Sequence, residues 1–175
     1  MSTGYKLTNQ TMRTHGDCQW TLGEDHFAPG GGPLCTDKWL HEYTDPLVAV
    51  FANSIHANIE NPRLFVTNSD QVLSSFDGLK IGCTRQRLMR EIAVPVLTTE
   101  QRVHTAILCV LEIPHSPEFA AWARNWLDGS ERTKEAAARE RAAWAAADKS
   151  RNSFDLAALL RRVPSVVEPT LEAMP

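Results

Sequence analysis

The stretch Trp39 to Leu64, W-L-H-E-Y-T-D-P-L-V-A-V-F-A-N-S-I-H-A-N-I-E-N-P-R-L, decides how the first half of the chain folds. Its opening, Trp39–Tyr43, alternates large and polar residues, as a half-buried strand does. In the Thr44-Asp45-Pro46 segment either of the first two side chains can cap a helix, and proline suits the first helical position. The stretch therefore predicts a strand that passes directly into a helix reaching about residue 53.

Short apolar segments between turn signals predict further strands on both sides of this stretch. They are Tyr5–Thr8, Cys18–Leu22, Arg63–Thr67, Leu79–Thr84 and Leu88–Val94. The glycine- and proline-rich segment 28–33 predicts a loop, because those residues favour neither a helix nor a strand ladder.

The chain changes character at Thr98, where T-T-E-Q forms a capping box that begins a helix ending before Pro114. Ser116 and Pro117 then begin a second helix. Its residues Trp122 and Trp126 share one face, and we expect both to be buried between helices. An exposed stripe would instead indicate a partner-binding or homodimer surface.

An alanine-rich segment from Ser130 predicts a third helix. Asn152 or Ser153 is expected to cap a last short helix through Arg162, and the proline-containing end of the chain is expected to be irregular. The sequence thus predicts an α+β protein, with a β-rich mixed half over 1–96, a helical half of three to four helices over 97–163, and an irregular tail over 164–175.

Composition excludes several classes of function. The net charge is −3, and residues 1–96 carry 8 basic and 10 acidic groups, so neither half has the basic excess of a protein that grips nucleic acid. The sequence has no apolar run long enough for a membrane span and no signal pattern at its start. We therefore expect a cytoplasmic protein whose four cysteines are reduced.

Four residues of metal-ligating type lie close together in the sequence: Cys18, His26, Cys35 and His41. Zinc sites usually draw their ligands from tight pairs, and the spacing C-x7-H-x8-C-x5-H has none. We expect no metal, with zinc as the alternative that these ligand types leave open.

Polar and aromatic side chains around the opening stretch form a candidate binding pocket. His41 and Tyr43 share a face of a strand that leads into a helix N-terminus, where anions such as phosphate bind unless Asp45 occupies the donors. His56 and Asn58 share a face in an extended segment, where they could carry and orient a proton. The candidate residues are Tyr5, Trp20, His41, Tyr43, Asp45, His56, Asn58 and Arg63. Packing and capping are the alternative roles, and catalytic residues are not assigned.

Several short patterns resemble uncharacterised small proteins of bacteriophages and prophages. They are W-L-H-x-Y-T-D-P-L from Trp39, I-H-A-N from Ile55, N-P-R-L from Asn61 and L-T-T-E-Q-R from Leu97. The resemblance implies a phage-encoded accessory protein that acts in the host cytoplasm. We expect it to bind a host protein or protein complex, such as a defence or regulatory component, without being an enzyme.

A second resemblance is to the ADP-ribosyltransferase fold, whose second sequence element is similar to Tyr43-Thr44-Asp45-Pro46-Leu47-Val48-Ala49. It implies an NAD-binding enzyme, with Tyr5, His41 and Tyr43 around the nicotinamide or ribose and Glu91 as the late acidic residue. The chain departs from that family at Tyr5-Lys6, where the family has His or Arg.

Overall fold

A sheet of seven antiparallel strands dominates the first part of the computed structural model, which describes residues 2–74, 79–130 and 155–164. Over these residues the protein is α+β, as the sequence predicts, with nine strands and four α-helices. The strands are β1 (Ser2–Thr8), β2 (Arg13–Thr14), β3 (Cys18–Gln19), β4 (Asp25–Phe27), β5 (Leu40–Tyr43), β6 (Arg63–Ser69), β7 (Leu73–Ser74), β8 (Lys80–Cys83) and β9 (Arg85–Ile92). The helices are α1 (Pro46–His56), α2 (Thr99–Leu111), α3 (Pro117–Leu127) and α4 (Leu156–Arg161).

The sheet has the strand order β4-β9-β6-β1-β5-β8-β7, and β2 and β3 form a separate two-stranded ribbon. The strand β1 is central, with Tyr5 opposite Val66 of β6 and Tyr43 of β5. Since paired residues lie on one face and neighbouring residues alternate, Tyr5 and Tyr43 share one face. The opposite face carries Lys6 and its neighbour across the strands, Glu42.

Both faces of the sheet centre are covered. On the Tyr43 side lies α1, which buries Leu47 and Phe51 and stacks His56 on Tyr43. On the other side Trp20 packs with Phe65 and Leu88. The sheet therefore carries a core on each side, and side chains near its centre are shielded from water whichever way they point.

Local signals placed most of the elements correctly. Asp45 caps α1 through hydrogen bonds from the N–H groups of Leu47 and Val48 at 2.8 and 3.4 Å. The capping box at Thr98 and Gln101 is present at the start of α2. The strand β4 was not predicted, because three residues between turns carry little periodicity.

The last helix corrects one expectation. Its N-cap is Asp155, whose side chain accepts from the N–H group of Ala158 at 2.9 Å, rather than Asn152 or Ser153. The predicted alanine-rich helix and most of the predicted irregular tail lie outside the described residues.

The second compact unit begins at residue 97 and contains α2, α3 and α4. Trp122 and Trp126 are buried there in a cluster with Val103, Ile107 and Ala123, which confirms the expected burial between helices. Across the described ranges, no helix combines the length and the apolar character that crossing a bilayer requires.

Candidate functional site

A buried carboxylate lies at the centre of the sheet. Glu42 is fully buried, and each of its oxygens accepts two hydrogen bonds. Oε2 accepts from Thr67 Oγ1 at 2.6 Å and Gln86 Nε2 at 2.7 Å. Oε1 accepts from Ser69 Oγ at 2.7 Å and Gln71 Nε2 at 2.8 Å. These four donors fill the acceptor capacity of an ionised carboxylate.

Strand register brings these donors together. Thr67 and Ser69 are two residues apart on β6 and so share a face, and Gln86 lies opposite Ser69 on β9. Gly4 on β1 completes the site, because a Cβ atom there would overlap the Glu42 carboxyl group. The carboxylate is therefore held by side chains from two strands and a loop, and the glycine on a third strand leaves room for it.

Lys6 lies in the same interior and is also buried. Its Nζ donates to the backbone carbonyl of His41 and lies 4.4 Å from the centre of the Trp20 ring. Burial lowers the pKa of the Lys6 amine from 10.5 to about 8, although the charge of Glu42 opposes this shift. The neutral amine is thus accessible at mildly alkaline pH, unlike that of a lysine on the surface.

The carbonyl end of Gln86 is not satisfied by its neighbours in this interior. The residue is fully buried, and Nε2 is committed to Glu42, which fixes the orientation of the amide. Among the residues that the structure describes, Oε1 has no hydrogen-bond partner. An unsatisfied buried acceptor carries a cost in stability, so Gln86 contributes less than a fully bonded glutamine would.

The lowered pKa of Lys6 gives a testable dependence of stability on pH. Between pH 8 and 9 the unfolded chain keeps the proton on Lys6 while the folded protein loses it, so the free energy of unfolding rises with pH. We expect this contribution of Lys6 to give a rise of about 1 kcal/mol over the interval in the natural sequence relative to Lys6→Met, measured by urea unfolding. In Lys6→Met this rise should be absent, and an identical pH slope in the two proteins would contradict the assignment.

Buried cysteine thiols set the upper limit of the pH interval in which Lys6 can be tested. Burial raises the pKa of the Cys83 thiol from 9.0 to about 11 and that of the Cys109 thiol to about 12, so from about pH 8 upward the unfolded chain progressively loses thiol protons that the folded protein keeps. This lowers stability with rising pH. The comparison of Lys6→Met with the natural sequence is therefore made below pH 9.

The structure brings together part of the predicted pocket. Tyr5 and Tyr43 are neighbours across strands, and the His56 ring stacks on Tyr43 with centroids 5.9 Å apart. His41 lies two residues from Tyr43 on the same face, and its Nε2 is 2.5 Å from the carbonyl oxygen of Leu34. Burial raises the pKa of Tyr43 to about 12, which keeps the phenol neutral.

The remaining predicted residues do not join this cluster. Trp20 packs on the opposite face of the sheet with Phe65. Arg63 makes a two-point ion pair with Glu91, at 2.9 and 2.5 Å. The prediction that His56 and Asn58 share a face of an extended segment is wrong, because His56 ends α1 and Asn58 lies exposed in the turn that follows, with a left-handed φ of 47°. Asp45 occupies N–H groups at the α1 N-terminus, so these donors are already engaged where a phosphate would have bound.

The four residues of metal-ligating type are used in separate contacts. His26 stacks on Trp20 at 4.2 Å between ring centroids, and Cys35 lies exposed near Lys80 Nζ at 3.9 Å. Cys18 sits in the β2–β3 ribbon. Over residues 2–74, 79–130 and 155–164, no three His, Cys, Asp or Glu side chains are placed to hold a metal.

A surface feature lies at the β4 edge of the sheet. Asp25 bridges two arginines, with Arg87 Nη2 at 2.6 Å and Arg85 Nη1 at 2.8 Å, and these ion pairs lower the pKa of Asp25 to about 2. Beside this network the Phe27 ring is 73% exposed. Leu22 and Met89 are also exposed. We call Asp25, Phe27, Arg85 and Arg87 the β4 surface.

Comparison with family models, with curated proteins and with solved structures finds no match to this chain.

Two features of the structure were not predicted. Glu42 was not predicted, because the polar and aromatic pattern of the strand points to its neighbours His41 and Tyr43, although a lone acid within a strand between large residues is itself a signal of a buried polar site. The β4 surface was not predicted, because strand β4 itself was not predicted. In the sequence this surface corresponds to Asp25-His26-Phe27, an aspartate two residues before an aromatic residue. A segment of three residues is too short to predict a strand.

Proposed function

We propose that the protein functions by binding a host protein, as a phage-encoded accessory protein in the host cytoplasm. The single observation that carries the binding function is the exposed Phe27 ring beside the Arg85–Asp25–Arg87 network. The phage origin, and a target among defence or regulatory components, rest on the sequence resemblance.

The composition of the β4 surface is that of a protein interface. Aromatic residues, methionine and arginine are enriched where proteins bind one another, and a few aromatic anchors carry most of the binding energy. Phe27 supplies apolar contact area, while the ion-paired arginines supply a polar rim. Such a combination has no role in the core of the free protein.

The interior polar residues support binding rather than catalysis. Glu42 is enclosed by four donors, and the Tyr43 phenol stays neutral because of its burial. These arrangements hold the sheet together. They leave the surface side chains as the groups that a partner can reach.

We expect Phe27→Ala to weaken binding of the host partner by roughly 30-fold, because truncating an aromatic anchor costs about 2 kcal/mol. The measurement is quantitative co-purification from host lysate at near-physiological salt. Val72→Ala is the matched control, since Val72 is 55% exposed but lies outside the β4 surface. Equal recovery of the partner with both variants would refute the proposed surface.

The alternative, an NAD-binding enzyme of ADP-ribosyltransferase type, gains no support from the α1 N-terminus, where Asp45 binds the free N–H groups. Thermal unfolding with and without millimolar NAD separates the two functions. A ligand at 100 times its dissociation constant stabilises by roughly 2.7 kcal/mol. We expect no change in the unfolding midpoint, and a clear increase would favour the enzyme.

A further inference from the structure

The strand β4 is attached to the sheet through side-chain contacts on both of its faces. It is an edge strand of three residues, so its backbone pairs on one side only, with β9. On one face Asp25 forms ion pairs with Arg85 and Arg87. On the opposite face the His26 ring stacks on Trp20, with centroids 4.2 Å apart and 31° between the planes. Because so few residues of β4 pair, these two contacts contribute much of its attachment.

Trp20 is held in place by residues outside β4. Its ring packs with Phe65 and Leu88 and is 2% exposed. Its indole N–H group donates to Thr14 Oγ1 at 3.0 Å. The position of Trp20 is therefore set by the β2–β3 ribbon, β6 and β9, and the His26 ring leaves it when β4 separates from β9.

A positive charge on the His26 ring is disfavoured in the paired strand. The imidazole lies against an indole, and the Lys6 ammonium already lies 4.4 Å from the centre of the Trp20 ring. Burial is the main cause that lowers the pKa of His26 below 6.5, and the charge of Lys6 acts in the same direction. The charges of Glu24 and Asp25 oppose this shift without reversing it. The neutral imidazole is therefore the form that suits this contact.

Other polar and titratable groups border the contact from the neighbouring strands. They are Gln86 on β9 with the Glu42 carboxylate that it binds, Asp70 with the Arg85 backbone N–H group that it binds, and Cys18 beside the Trp20 ring. The Gln86 amide lies opposite His26, but it is neutral and donates to a carboxylate. The proton affinity of His26 therefore depends mainly on burial and on the three charges named above.

We propose that His26 is a pH-sensitive switch, which holds β4 against Trp20 while the imidazole is neutral and loosens the strand when the imidazole takes up a proton. Water solvates the imidazole of the separated strand, so this form binds the proton more readily than the paired form. The contact keeps its full strength above pH 6.5, and separation becomes more favourable as the pH falls below that value. The inference does not rest on the proposed function, because it concerns the free protein.

Amide hydrogen exchange of the natural sequence, measured by NMR, tests this switch. The N–H group of Ala28 donates to the carbonyl of Thr84 at 2.8 Å and so reports the pairing of β4 with β9. We expect its protection, corrected for the intrinsic exchange rate at each pH, to fall by about threefold or more between pH 7 and pH 5.5. The Asp25 ion pairs persist over this range, because the pKa of that carboxyl is about 2. Unchanged protection of Ala28 would overturn the inference.

His26→Phe is the matched variant, because phenylalanine keeps a ring against Trp20 but binds no proton. In this variant the protection of Ala28 should be the same at both pH values. An equal fall in the variant and in the natural sequence would assign the pH dependence to another group and overturn the inference. If circular dichroism shows that His26→Phe does not fold, His26→Gln provides the same comparison, because glutamine is also neutral at both pH values.

The same experiment separates His26 from His41, whose pKa is also lowered by burial. His41 lies on β5 in the interior of the sheet, so its protonation would reduce the protection of the central strands β1 and β6. We expect amides in those two strands to keep their protection at pH 5.5 while Ala28 loses it. A parallel fall in β1, β6 and β4 would indicate general destabilisation and would overturn a switch confined to β4.

Discussion

Replacing Glu42 by alanine should lower the free energy of unfolding by about 4 kcal/mol, one of the two largest effects expected for a single substitution in this protein. The change removes the acceptor of four side chains at once: Thr67, Ser69, Gln71 and Gln86. Buried donors without partners cost far more than the net value of the hydrogen bonds they made. Urea unfolding followed by circular dichroism measures the loss.

Two further variants define the origin of this effect. Glu42→Gln keeps the volume but turns one end of the group into a donor that faces other donors, so we expect an intermediate loss. Glu91→Ala is the matched control, because Glu91 forms an ion pair with Arg63 that is partly exposed to solvent, and the Glu91 side chain is 30% exposed. That variant should lose no more than about 1 kcal/mol. Similar losses for Glu42→Ala and Glu91→Ala would show that the buried network contributes little.

Replacing Trp126 by alanine should cost about 3 to 5 kcal/mol of stability, as is usual for a buried large aromatic. The residue is 4% exposed and packs with Val103, Ile107 and Trp122. Its ring also meets His104 edge-on, with centroids 6.0 Å apart. Truncation removes the indole and leaves a cavity that neighbouring helices fill only in part. Chemical denaturation gives the difference in free energy.

The control for Trp126 is Phe119→Ala, because Phe119 lies at the margin of the same cluster and is only partly buried. We expect a smaller loss of stability for this variant, because folding removes less apolar area of Phe119 from water. If Trp126→Ala unfolds at the same denaturant concentration as the natural sequence, the indole does not contribute to the core.

Much of the fold could be predicted because strong local signals coincide with the true elements. The Asp45-Pro46 start of α1 and the capping box at Thr98 are each set by side-chain chemistry within one turn of helix. Burial of Trp122 and Trp126 followed from helical spacing alone. Strand β4 could not be predicted, because its three residues become a strand only through pairing with β9, about sixty residues later in the chain.

The interior site was harder to predict for a different physical reason. Alternation along β5 predicts a half-buried strand with His41 and Tyr43 on one face. Both faces of β5 are covered, so alternation does not tell which side chains are buried. The importance of Glu42 depends on donors from β6, β9 and a loop, and no local pattern reveals a group of residues so far apart in the chain.

The central position of β1 has a consequence for how the chain is made. Its neighbours in the sheet are β5 and β6, and Tyr5 meets Tyr43 and Val66. At a synthesis rate of about 5 to 20 residues per second, roughly 3 to 12 seconds pass between translation of Tyr5 and of Val66. Both sides of β1 lack their final partners until Tyr43 has been made, and the β6 side lacks its partner until Val66 follows. Folding on the ribosome therefore has to wait for distant sequence, and a chaperone that shields extended apolar segments would act in this interval.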